Sequence, residues 1–94
     1  MAAELAEKVE RYERLLAEAL DVAEPTSAAG TPLEGVADEF AGMARAYLED
    51  GRHFAADGDP VNALAAFSYG HAWLDAGARL GVFDVPDGGS LFAV

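Results

Sequence analysis

From Pro60 to Leu80 the chain runs for 21 residues with two charges, Asp75 and Arg79. The rest of that run is small, aliphatic, aromatic or uncharged polar. Its ends are punctuated for a helix. Asp59 suits the N-cap, Pro60 the first helical position, and Gly81 the left-handed position just past the last turn, with Val82 as its hydrophobic follower. A helix that is apolar nearly all round is predicted to be central and buried. Ala63, Ala66, Gly70 and Gly77 give it one small-residue face that permits close helix approach. The remainder of the chain must therefore supply elements that wrap this helix.

Two further helices are predicted upstream. Over about 2–23, apolar residues at Ala2, Leu5, Val9, Tyr12, Leu16, Ala19 and Ala23 keep an unbroken three–four spacing, a heptad stripe. Glu4, Glu7, Glu10, Glu13 and Glu18 occupy other faces, a solvated surface, with Glu7–Arg11 and Glu10–Arg14 as i,i+4 pairs. Pro25 stops this helix, because the residue before a proline avoids the α region. A linker follows over 24–32. Thr31, Pro32 and Glu34 then read as a capping box opening a second helix over about 32–57. Its stripe is Leu33, Val36, Phe40, Met43, Tyr47, Gly51 and Phe54. Gly58 and Asp59 form a tight turn, so the second helix and the third, over about 60–80, make an antiparallel hairpin. The tail, 82–94, has two short apolar runs around the turn signal Pro86, Asp87, Gly88, Gly89. It reads as a strap or short hairpin that hides Phe83, Leu91 and Phe92, or as a partner site if it does not dock. The expected fold is all-α: an antiparallel three-helix bundle with a C-terminal strap or short hairpin, one helical domain over 1–94.

Composition narrows the field. At 94 residues, about 64% of the extended chain's surface is buried on folding, enough for one core. The net charge is −11, yet 52% of residues are hydrophobic, which argues against disorder. That charge disfavours a nucleic-acid module built on a basic patch. There is no cysteine, which excludes disulfides, cysteinate metal sites and thiol nucleophiles. The start lacks a basic n-region and an apolar h-region, and the longest low-charge stretch is too short and polar for a membrane span, so a cytoplasmic location is expected. One Lys against five Arg, 17 acids and 21 Ala fit a protein from a high-salt cytoplasm, where surface carboxylates hold water and cations while salt screens their repulsion; an ordinary acidic mesophilic protein is the alternative reading.

The run from Tyr69 through His71, Trp73, Leu74, Asp75, Ala76 and Gly77 to Phe83, with the upstream Ala46-Tyr47-Leu48-Glu49-Asp50 and the Gly58-Asp59 turn, resembles the archaeal "domain of unknown function 357" family. The likeness covers about 36–85, with the first helix fitting more loosely. It implies a small all-helical archaeal protein and no assigned activity. Two weaker likenesses share the hairpin. Tyr47, Gly51, Phe54, Gly58, Ala63, Phe67 and Gly70 follow tetratricopeptide spacing, but one such unit cannot bury its own face. The chain also looks like the first hairpin of HEPN nucleotide-handling bundles. The Arg and His that RNA-cleaving members carry are missing at that spacing: Arg45 and His53 are separated by seven residues, on the wrong helix.

Chemistry-bearing residues cluster on the third helix. Ser68, His71 and Asp75 share one turn-to-turn face, but three neighbours on a helix with no nucleophile elbow do not make a triad, and His71 satisfied by Asp75 is the simpler reading. Asp50 with His53, and His71 with Asp75, are each two-ligand units, but helix rise sets them about 10 Å or more apart, so no metal is expected. Tyr69 and Trp73 are i,i+4 on a different face, where core, interface and ligand pocket are all open readings. Arg79 is expected to pair Asp75 or Asp84. No phosphate-binding glycine loop is present.

The expected function is a non-enzymatic protein-interaction module or homodimer of a halophilic archaeal cytoplasm. It has no catalytic residues, cofactor, nucleic acid or membrane, and its partner is a homo-oligomer mate or another protein. The alternative is a small-molecule or nucleotide-binding bundle, HEPN-like without the RNase motif. It would use Tyr69, His71, Trp73, Asp75 and Arg79 around one pocket. A metal-dependent or hydrolytic enzyme stands below both.

Overall fold

The computed structural model describes residues 2–86 and 91–92. Three helices account for most of it: α1 (Ala2–Val22), α2 (Val36–Ala56) and α3 (Pro60–Leu80). Two short strands join them: β1 (Glu24–Pro25) before α2 and β2 (Phe83–Asp84) after α3. The architecture is the all-α three-helix bundle that the periodicity predicts, tied at one end by a small antiparallel ladder.

Local signals set most boundaries. Gly58 at φ 79° takes the left-handed position after α2, and its N–H and that of Asp59 return to the Ala55 and Phe54 carbonyls. Asp59 then caps α3, accepting from the Asn62 N–H at 3.2 Å and from its side-chain amide at 2.7 Å, with Pro60 inside the first turn. Gly81, φ 88°, closes α3 the same way, and the Val82 N–H reaches the Gly77 carbonyl. With three residues between them, α2 and α3 can only pack as an antiparallel hairpin.

The start of α2 departs from expectation. The predicted capping box at Thr31 does not form, and the helix begins four residues later than predicted, at Val36 rather than at about 32. The Thr31 hydroxyl donates to the Ala28 carbonyl and accepts from the Leu33 N–H, so it closes a local turn instead. Gly35, left-handed at φ 83°, occupies the N-cap without a side-chain cap, and Asp38 and Glu39 face the helix's positive end. The predicted linker also holds β1. Glu24 pairs with Asp84 and Pro25 with Phe83. Thr26 extends the tie: its N–H donates to the Val82 carbonyl and its hydroxyl to the Gly81 carbonyl at 2.7 Å. The strand partner of the tail is thus the linker. The predicted turn at Asp87, Gly88 and Gly89 lies outside the described residues.

The core gathers Val9, Leu16 and Ala19 of α1, Ala44 and Leu48 of α2, Ala63, Ala66, Phe67 and Leu74 of α3, and Val82 and Phe83 of the tail. From Leu5 to Ala23 the α1 stripe is the predicted one. On α2 the buried line runs through Ala44, Leu48 and Gly51, rotated from the predicted stripe, so Met43 and Phe54 stay exposed. The small face of α3 does set helix spacing. A Cβ at Gly70 would stand 2.7 Å from Leu16 Cδ2 and 3.0 Å from Tyr47 Cβ, so α1 and α2 both close on that point. Among the described residues the i,i+4 pairs foreseen on α1 do not close. Instead Arg52 reaches across from α2 to Glu13 at 2.6 Å.

The expectation that α3 is buried all round fails. Two helices and a tail cover only part of its circumference. Val61, Ala65, Ser68, Tyr69, Ala72, Ala76, Arg79 and Leu80 remain exposed along one face.

Candidate functional site

α3 carries the residues with chemistry, and a helix sends neighbours two apart to opposite sides. His71 and Asp75 turn toward α1, while Tyr69 and Trp73 turn toward α2. The five candidates therefore do not converge on one site.

On the α1 side, His71 Nε2 meets the Leu91 carbonyl oxygen of the tail. A carbonyl only accepts, so Nε2 carries the proton in that contact. Asp75 Oδ1 is 4.0 Å from the same nitrogen, an ion-pair distance and too long for a hydrogen bond. The tail, not Asp75, is thus the direct partner of His71, correcting the sequence expectation. Phe92 flanks the imidazole, with ring centroids 6.2 Å apart. The described part of the strap therefore docks on its own bundle, with Val82 and Phe83 buried and Leu91 and Phe92 half-buried. An open cleft of about 300 Å³ lies alongside, between Tyr12, Leu15, Phe67 and His71. Ser68 lines it, but among the described residues no hydrogen bond joins its hydroxyl to His71. His53 and Asp50 are exposed on α2, and among the described residues no group of three or more His, Asp or Glu side chains could hold a metal.

On the α2 side the aromatics interlock. Trp73 packs edge-on against Phe40, centroids 5.0 Å apart, and Tyr69 stacks on Tyr47 at 5.7 Å. Trp73 is half-buried against the core, whereas Tyr69 is 63% exposed. Two shallow clefts, about 380 and 510 Å³, share Phe40 and Trp73 as walls, and Met43 lines the second. Phe40, Met43 and Tyr47 of α2 join the α3 residues expected from the sequence. Their three–four spacing on the antiparallel neighbour of Tyr69 and Trp73 was the signal.

Arg79 stands apart at the end of α3. Among the described residues it pairs with neither Asp75 nor Asp84, contrary to expectation. It is the single charge on the exposed face of α3.

A family model described as protein of unknown function (DUF357) matches residues 11–83. The chain belongs to that family, as the Tyr69–Phe83 run suggested. No curated protein and no solved structure matches it.

Proposed function

We propose that this member of the DUF357 family is a non-enzymatic interaction module of a salt-rich cytoplasm, and that its docking surface is the outer face of α3 with the aromatic cleft beside it. One observation carries the reading. In a chain of net charge −11, the least charged helix leaves a whole face in solvent. Val61, Tyr69 and Leu80 are 65, 63 and 49% exposed, with Ala65, Ala72 and Ala76 between them. Scattered apolar residues on a surface are ordinary, whereas a contiguous row of them marks an interaction site. Tyr and Trp at its edge are the residues enriched in interfaces.

The split of the five α3 candidates over two sides favours a surface over a pocket. A ligand pocket needs convergent polar groups. Here His71 and Asp75 sit on one side, Tyr69 and Trp73 on the other, and Arg79 at the end.

The test uses the whole chain as bait at high salt, beside a Tyr69→Glu, Ala72→Glu variant that keeps the core untouched. Interactions held by the native chain and lost by the variant support the reading. Identical capture by both, self-association included, overturns it.

A further inference from the structure

Resting on that reading, we infer that the occupant of the α3 face is a second copy of this chain. The two copies pair antiparallel about a two-fold axis that passes between Gly70 and His71.

The spacing of the face points there. The apolar residues of the face, Val61, Ala65, Tyr69, Ala72, Ala76 and Leu80, follow one another at intervals of four, four, three, four and four, with the polar Ser68 beside Tyr69. The series reads the same in both directions, and its midpoint falls between Gly70 and His71. An isologous contact requires one patch to be its own complement. In the pair, Val61 lies level with Leu80 of the second copy, Ala65 with Ala76, and Tyr69 with Ala72. Methyl meets methyl at Ala65 and Ala76, which lets the helices approach. Tyr69, stacked on Tyr47 of its own chain and 63% exposed, meets the small side chain opposite it.

At low ionic strength charge adds to the apolar spacing in favouring the antiparallel orientation. Arg79 is the one charge on the face and among the described residues has no ion-pair partner. Antiparallel pairing brings it within about one helical turn of the second copy's acidic turn at Asp57 and Asp59. Parallel pairing would set Arg79 against Arg79 and acidic turn against acidic turn. Like charges so placed disfavour the wrong register.

Size and net charge set the strength. A helix of 21 residues is about 31 Å long and about 10 Å wide, so each copy contributes a small footprint, at the weak end of specific interfaces. Two chains of −11 repel, and salt near 1 M confines that repulsion to about 3 Å. The pair is therefore concentration-dependent and tightens as salt rises.

The natural absence of cysteine makes the register directly readable. Ala65→Cys and Ala76→Cys each replace an exposed residue of α3. Positions 65 and 65 of an antiparallel pair are about 16 Å apart along the axis, as are 76 and 76, whereas 65 and 76 are level. A disulfide spans Cα atoms only up to about 7 Å apart. Under mild oxidation in concentrated KCl, a mixture of the two variants forms the mixed disulfide, while each alone forms no interchain disulfide. Disulfides within either variant alone overturn the antiparallel register. No disulfide in the mixture, with the native chain monomeric by light scattering at every concentration, overturns self-pairing. If that monomer still captures a foreign partner that Tyr69→Glu loses, the docking surface stands and only its occupant is wrong.

Discussion

Replacing Gly51 by Ala separates the packing of α2 on α3 from helix propensity. Gly51 is buried, and a Cβ built there meets the Phe67 ring, with Cδ1 at 2.5 Å, Cζ at 2.8 Å and Cε1 nearer still. Phe67 is 1% exposed and packed in the core, so turning its ring away from Gly51, toward the cleft beside Tyr12 and His71, gives up core contacts. Overpacking a filled core costs about 1–3 kcal/mol, and three ring carbons inside 3 Å place this site in the upper part of that range. Ala in a helix interior regains about 1 kcal/mol over Gly. The net expectation is a loss of about 1–2 kcal/mol. For a chain of this size that lowers Tm by roughly 5–15 °C. Gly42 on the same helix provides the control. Nothing lies within 4 Å of a Cβ there, so the propensity gain stands alone and Gly42→Ala stabilises by about 0.5–1 kcal/mol. Denaturant unfolding of both variants, fitted at a common m-value, gives the two signs. A Gly51→Ala chain as stable as the native one would refute the close approach of α2 to Phe67.

Other expectations follow from the same geometry. Asp59→Ala removes the acceptor for the Asn62 N–H and costs about 1 kcal/mol, read as a Tm fall of roughly 4–8 °C, whereas Asp59→Ser recovers most of it. Arg52→Ala breaks the Glu13 pair, but both groups are substantially exposed, so unfolding free energy changes by less than about 1 kcal/mol and the effect vanishes in molar salt. The acidic shell predicts a higher Tm in 3 M KCl than in 0.1 M; equal melts in the two would remove the salt-rich habitat from the account.

How far the sequence carries differs from element to element. The limits of α3 are legible because Asp59, Pro60 and Gly81 act within one turn of their own positions. Thr31 offers an equally good local signal and is overridden, since its hydroxyl is engaged in a turn with Ala28 and Leu33 before α2 begins. The facing of α2 is misjudged for a tertiary reason. Phe67 fills the space at Gly51, which rotates Ala44 and Leu48 inward and leaves Met43 and Phe54 outside. The partner of His71 was out of reach of any local rule, because the Leu91 carbonyl lies twenty residues on. The outer face of α3 was hidden by composition itself. An apolar helix reads as buried, and only the count of available neighbours shows that three helices leave one side of it uncovered.

The most direct test of that face is a dilution series of amide and indole chemical shifts in concentrated KCl. Concentration-dependent shifts are expected only at residues 61–80 on the outer side, strongest at Tyr69, Ala72 and Ala76, and lost in Tyr69→Glu. Shifts centred on α1, or a spectrum unchanged by dilution at every salt concentration, would contradict it.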